Sequence, residues 1–153
     1  MPVERRLFLS SLGSGAVLLA LAPGLALVGG SRAAAQDRPG ADDPGTELLA
    51  GATGLDRTHL PMLSLPARPR LGRSFDLVVR VGEPLHEQRR DHHIPWIEVR
   101  HAGELLFACD LSPSVPFPVA RVPVVLRREG ELVVRLRCSQ HGVFRFRLPV
   151  APT

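Results

Sequence analysis

The sequence predicts an all-β domain, an immunoglobulin-like antiparallel β-sandwich or barrel of about seven strands. Three observations carry the prediction. Apolar residues recur at every second position in four separate segments, turn-forming pairs and prolines punctuate those segments, and nothing after residue 35 keeps the long 3.6-residue period of an amphipathic helix. With 153 residues, 44% hydrophobic and 22% charged, the chain is long enough to bury one core and too short for two domains of ordinary size.

Residues 1–35 read as a leader outside the fold. Glu4-Arg5-Arg6-Leu7-Phe8-Leu9-Ser10 has the form of a twin-arginine export motif, followed by an apolar run from Ala16 to Val28 and a small-residue end at Ala33-Ala34-Ala35. The run is short for a span and contains Pro23, so cleavage near Ala35 is expected, with no membrane span in the mature form and a periplasmic location. Export of an already folded protein agrees with a metal loaded beforehand.

Residues 36–55, rich in glycine, proline and aspartate, read as a flexible arm with room for one helical turn around Glu47 to Ala50. The domain proper is expected over residues 56–153. Prolines 61, 66 and 69 hold its first stretch extended. Period two then begins: Phe75, Leu77, Val79 and Val81 share one face, as do Leu105, Phe107, Cys109 and Leu111. Leu132, Val134, Leu136 and Cys138 point inward with Arg135 and Arg137 outward, and Phe144, Phe146 and Leu148 repeat the pattern. The Ala102-Gly103 and Glu129-Gly130 pairs are placed for hairpin turns, while prolines 113, 116, 118 and 123 suit a crossover and an edge strand.

All 19 basic residues are arginine, so no lysine is available for catalysis. Without residues 1–35 the chain carries 16 basic and 14 acidic side chains. That near balance, with no basic patch interleaved with aromatics, argues against nucleic acid as a partner.

Two clusters carry the chemistry. His86-Glu-Gln-Arg-Arg-Asp-His92-His93-Ile-Pro-Trp96-Ile97-Glu98 concentrates imidazoles just before an apolar strand, and Cys138-Ser-Gln-His141-Gly142 lets one turn present sulfur and imidazole to the same ion. Any one of the histidines is unremarkable alone as a solvated residue; the grouping points to a borderline or soft transition metal. Cys109 is the other cysteine, and a Cys109–Cys138 disulfide in an oxidising compartment competes with ligation. The grouped histidines, which a disulfide leaves unexplained, favour the metal.

These residues resemble the superoxide reductases, the neelaredoxins and the iron domain of the desulfoferrodoxins, from Asp56 to Leu148. His59-Leu60-Pro61 is similar to the family's His-hydrophobic-Pro opening. His86 follows Val79-Arg80-Val81-Gly82 as the family's next ligand follows its strand, His92 comes six residues later, and Cys138-Ser139-Gln140-His141-Gly142 is similar to the closing Cys-Asn-x-His-Gly. The resemblance implies one mononuclear iron per chain, Fe(2+)/Fe(3+), with His59, His86, His92 and His141 equatorial, Cys138 axial and the sixth position open. It also implies one-electron reduction of superoxide to hydrogen peroxide, an electron donor such as a cytochrome or a rubredoxin-like protein, and a homodimer or homotetramer. No second cysteine-rich motif is present, so the additional rubredoxin-like centre of two-domain relatives is not expected.

Two departures stand out. Where the family has a Glu-Lys pair before the first histidine, this chain has Arg57 and Thr58; these are the candidate catalytic positions, Arg57 as the cation that attracts the anion and Asp56 as the nearest acid. Ser139 stands for asparagine. Arg89 and Arg90 are candidates for an anion-attracting rim, with solvated loop charges the plainer reading. A cupredoxin-like electron carrier is the alternative from another class, but such carriers place a methionine soon after the last histidine, and the methionines here are Met1 and Met62. A non-catalytic binding module on the same fold is the third reading.

Overall fold

The computed structural model describes residues 38–40 and 42–153. The expected leader lies outside the described residues. The described chain is nearly all β, 46% strand and 5% helix. In order it forms β1 (Thr46–Leu48), α1 (Gly54–His59), β2 (Pro61–Ser64), β3 (Ser74–Val81), β4 (Trp96–His101), β5 (Glu104–Asp110), β6 (Val119–Val125), β7 (Gly130–Cys138) and β8 (Gly142–Val150). One sheet has five strands in the order β1-β8-β7-β4-β5 and faces a three-stranded sheet, β2-β3-β6. Every pair is antiparallel except β1 with β8.

The alternation predicted for β3 and β7 is the alternation that packs. Leu77, Val79 and Val81 from the small sheet meet Leu132, Val134, Leu136 and Cys138 from the large one, and all seven are fully buried. Phe144 and Phe146 from β8 and Ile97 and Val99 from β4 complete the layer. Removing this apolar surface from water is the main force holding the sheets together.

β4 departs from period two because both of its faces are covered. Trp96 and Glu98 point away from the core yet are 3% exposed, since residues 38–40 and 42–45 run over that side of the large sheet. The Pro39 carbonyl accepts hydrogen bonds from Trp96 Nε1 and Arg137, Arg135 donates to the Asp43 carbonyl with its guanidinium 5.9 Å from the Trp96 ring, and Arg38 pairs with Asp110. Arg100 and Arg135 neutralise Glu98 at 2.7 and 3.7 Å, which is what permits a carboxylate there. Within the segment read as an arm, residues 46–48 form a strand where a helical turn was expected. Its backbone pairs with Phe144–Phe146, and Leu48, 2% exposed, plugs into the core.

Three further features bear on the expectations. Ala102-Gly103 does turn β4 into β5, with φ of 47° and 83° at the two residues, as a tight hairpin demands. Glu129-Gly130 does not make a hairpin: it carries the chain from β6 in the small sheet to β7 in the large one. The prolines behave as expected, with 113, 116 and 118 in the crossover from β5 to β6 and Pro123 inside β6, an edge strand. Cys109 and Cys138 are both free thiols. No helix among the described residues is long and apolar enough to cross a membrane.

Candidate metal centre

Four separate pieces of chain converge at one end of the sandwich. His59 closes α1, a six-residue helix too short to leave a periodic signal in the sequence. His86 and His92 belong to the β3–β4 connection, Cys138 ends β7, and His141 sits in the turn before β8. Gly82 allows α1 and the His86 loop to meet. Its φ is +88°, and a Cβ there would lie 2.4 Å from the Thr58 carbonyl oxygen and 2.8 Å from His86 N. Three backbone bonds lock the junction: Gly82 N to the Leu60 carbonyl, Glu83 N to the Arg57 carbonyl and His86 N to the Val81 carbonyl.

The imidazoles stand at the corners of a square. Around the perimeter His59–His86, His86–His92, His92–His141 and His141–His59 have ring centroids 4.9, 4.5, 5.0 and 5.0 Å apart, while the His59–His92 diagonal is 6.3 Å. Nitrogens face inward: His86 Nε2 is 3.2 Å from His92 Nε2, and His59 Nε2 is 3.3 Å from His141 Nδ1. Cys138 Sγ lies 3.4 Å from His141 Nδ1 and 3.8 Å from His86 Nε2. The donor atoms of His59, His86, His92 and Cys138 all fall within 4.8 Å of one another, and His141 joins through its contacts with His59 and Cys138. Cys138 and His59 are fully buried, His86 nearly so, His92 is half-buried and His141 is exposed. The sulfur side is therefore sealed by the core, and access is from the His92–His141 side.

The profile of the desulfoferrodoxin family, described as "Desulfoferrodoxin", matches residues 52–147, which spans all five of these residues. The chain belongs to the desulfoferrodoxin family. A curated relative described as a desulfoferrodoxin homolog, from Methanothermobacter thermautotrophicus, is 39% identical over 66 residues, 43% of this chain and 50% of the relative. The match thus spans half the length of that relative. Among solved structures, the superoxide reductase (neelaredoxin) from Ignicoccus hospitalis superposes with a TM-score of 0.56 at 24% identity, covering 63% of this chain and 82% of the other. The superoxide reductase from Nanoarchaeum equitans gives 0.53 at 18% identity over 64% and 97%. At these identities the structures establish a shared fold.

In this desulfoferrodoxin-family chain the imidazoles are held ready to donate. His59 Nδ1 lies 2.7 Å from the Leu55 carbonyl, which can only accept, so the proton sits on Nδ1 and the Nε2 lone pair points into the square. Phe144 stacks on the same ring, 4.5 Å between centroids and 21° between planes. Burial, reinforced by the neighbouring imidazoles, lowers the His59 and His92 pKa values and brings His86 down to about 4. All three are then neutral at pH 7, the state a cation requires.

The loops are tied by Gln88, which carried no signal in the sequence, and by Ser139 and Gln140 of the closing motif. The Gln88 amide accepts from Ile94 N at 2.7 Å and donates to the Ile94 carbonyl at 3.2 Å, and Arg89 and His92 exchange two backbone bonds inside that closure. Ser139 N donates to the His93 carbonyl, Ser139 Oγ accepts from His93 N, and Gln140 donates to the Asp91 carbonyl, joining the Cys138–His141 turn to the His86–His92 loop. Of the two positions singled out before His59, Thr58 donates its hydroxyl to the Leu55 carbonyl and lies 3.1 Å from His59 Nδ1. Arg57 is half-exposed and pairs with Glu83 at 3.1 Å. Arg89 and Arg90 are exposed, Arg89 beside Asp91. His93 serves through its backbone, and His101 lies at the far end of β4 from the centre.

Proposed function

We propose that the protein is a non-haem iron superoxide reductase. Superoxide is its substrate and hydrogen peroxide its product, with one mononuclear iron held by His59, His86, His92, His141 and Cys138. The observation that carries this reading is the buried Cys138 sulfur packed against a square of inward-facing imidazole nitrogens. Four imidazole nitrogens and one cysteine sulfur suit a divalent transition metal better than a hard oxygen-seeking ion. The superoxide reductase fold neighbours and the family support iron in particular. They do not favour the copper-carrier or non-catalytic readings.

When bound, ferrous iron supplies the one electron that, with two protons, converts superoxide to hydrogen peroxide. The chain's residues do the rest. Cys138 would hold the iron through its buried sulfur and would enrich it in electron density, as thiolates do in some haem enzymes. The His92–His141 edge, where His141 is exposed, is the side from which a small anion reaches the centre. Arg57 draws the anion toward the centre without protonating it, because a guanidinium keeps its proton at neutral pH. Thr58 orients His59, sharing the Leu55 carbonyl with it. Protons then come from water at the open edge.

Residues 1–35 act in this reading as a twin-arginine leader that sends the folded protein to the periplasm, where a cytochrome or rubredoxin-like donor re-reduces a homodimer or homotetramer. The Arg5-Arg6 motif and the apolar run supply the support for export.

The test is metal content and the visible spectrum, before and after oxidant, in wild type and Cys138→Ser, followed by superoxide consumption by the pre-reduced protein. One iron per chain, a broad thiolate-to-metal band that appears on oxidation and vanishes in the variant, and stoichiometric loss of superoxide are expected. Zinc alone, or a spectrum indifferent to Cys138, would sink the proposal.

A further inference from the structure

A cleft of about 480 Å3 opens on the flank of the sandwich between β2 of the small sheet, β8 of the large one and the loop of residues 50–53. Its volume falls within the range of roughly 300–1,000 Å3 seen for small-ligand sites. Leu60, Leu63, Phe146 and Leu148 supply apolar walls, and the Arg57–Glu83 ion pair stands at its edge. The superoxide chemistry described above uses Arg57 at the rim of this cleft and leaves its apolar interior without a role.

Its position is informative. Leu60 is peptide-bonded to His59, and Phe146 is the neighbour, on the same face of β8, of the Phe144 ring stacked on His59. A molecule in the cleft is separated from the centre by one residue along the main chain and by one aromatic pair along β8. Resting on the superoxide reductase reading, each turnover needs one electron from outside, and the described chain offers no second cluster of metal-binding side chains to store it.

We propose that this cleft binds a small hydroquinone, a flat apolar molecule that reduces the oxidised centre by a route separate from the protein donor. Apolar walls match the ring. The ion pair matches the two oxidation states: Glu83 accepts from the O–H of the hydroquinone, and Arg57 donates to the C=O of the quinone. One hydroquinone gives up two electrons and two protons and becomes a quinone, serving two turnovers. Each turnover consumes one superoxide, one electron and two protons, so two superoxide, one hydroquinone and two protons from water yield two hydrogen peroxide and one quinone.

The experiment begins with metal-free protein and 2-methyl-1,4-naphthohydroquinone kept reduced under argon, with binding followed by equilibrium dialysis. Two variants block the cleft from its loop wall, Ala52→Trp and Thr53→Trp; Thr53 precedes α1 but its side chain makes no capping bond that the change would remove. Saturable binding to wild type, at least tenfold weaker in both variants, is expected. The oxidised, iron-loaded wild type should be bleached by the hydroquinone at least tenfold faster than either variant, while all three react alike with superoxide once chemically pre-reduced. Absence of saturable binding, or binding and bleaching equal in wild type and both blocked variants, overturns the proposal. Failure of pre-reduced wild type to consume superoxide instead overturns the superoxide reductase reading, while binding to the metal-free form still decides whether the cleft holds a hydroquinone.

Discussion

Gln88 grips Ile94 by both backbone groups, accepting from its N–H at 2.7 Å and donating to its carbonyl at 3.2 Å. The side-chain amide does what a neighbouring strand would do, and in doing so closes the loop that carries His86 and His92. Gln88→Ala is expected to leave the melting temperature of the metal-free protein within a few degrees of wild type. It should lower metal affinity by about 10- to 100-fold, the usual cost of losing a group that orients ligands from behind. Competition with a chromophoric chelator measures this; unchanged affinity would show that the loop holds His92 without its clamp.

Gly82 is the closest approach in the junction beneath His59 and His86. Gly82→Ala places a methyl group against the Thr58 carbonyl and forces a side chain into a left-handed backbone conformation. A loss of at least ~1–3 kcal/mol in chemical denaturation is expected, together with weaker metal binding, because the clash separates two ligand-bearing segments. A variant as stable and as tightly loaded as wild type would contradict this account.

His101 is 3% exposed and its Nε2 has no hydrogen-bond partner among the described residues. Burial, helped by Arg128 and opposed by Glu104, lowers its pKa below the ordinary 6.5. The unfolded chain therefore takes up this proton first, so the stability tied to neutral His101 is complete above about pH 6.5 and declines as pH falls toward the lowered folded value. His101→Phe keeps the ring and removes the titration. The iron-loaded variant should lose less stability between pH 7 and pH 5 than wild type, read from urea midpoints at each pH. Parallel curves for the two proteins would assign the acid sensitivity elsewhere.

Leu48 is the single buried side chain of the three-residue β1. Leu48→Ala is expected to cost roughly 2–3 kcal/mol, the lower part of the range for buried leucines, because an edge position can partly relax. Limited proteolysis should then cut first between residues 49 and 53, ahead of any cut in β3 or β7.

Much of this was legible from residue order alone. The inner faces of β3, β7 and β8 follow from strict alternation, and the hairpin at Ala102-Gly103 from its turn chemistry. The His86–His93 and Cys138–His141 clusters stand out in the sequence, while His59 was picked out through the family resemblance. What escaped has a physical reason in each case. α1 is too short to show a period, and β1 is specified by one leucine and an open edge on β8, which only the folded sheet provides. Glu129-Gly130 looks the same whether it joins two strands of one sheet or crosses between two. Gln88 acts on backbone groups brought near by folding, so nothing in its local sequence marks it, and the same holds for the bond that Ser139 makes to His93.

Trp96 is the only tryptophan in a chain without tyrosine, and it sits where residues 38–40 and 42–45 meet the large sheet, with its indole N–H on the Pro39 carbonyl, two residues after the Ile94 that Gln88 holds. Near-ultraviolet light therefore excites one indole, with no tyrosine emission behind it. A red shift announces water at that indole, which is the moment the covering segment lifts. Quenching without a shift reports events nearer the histidine loop. The fold has placed a single lamp at the seam between its N-terminal covering and its metal end, so the order in which those two parts let go can be followed by colour alone.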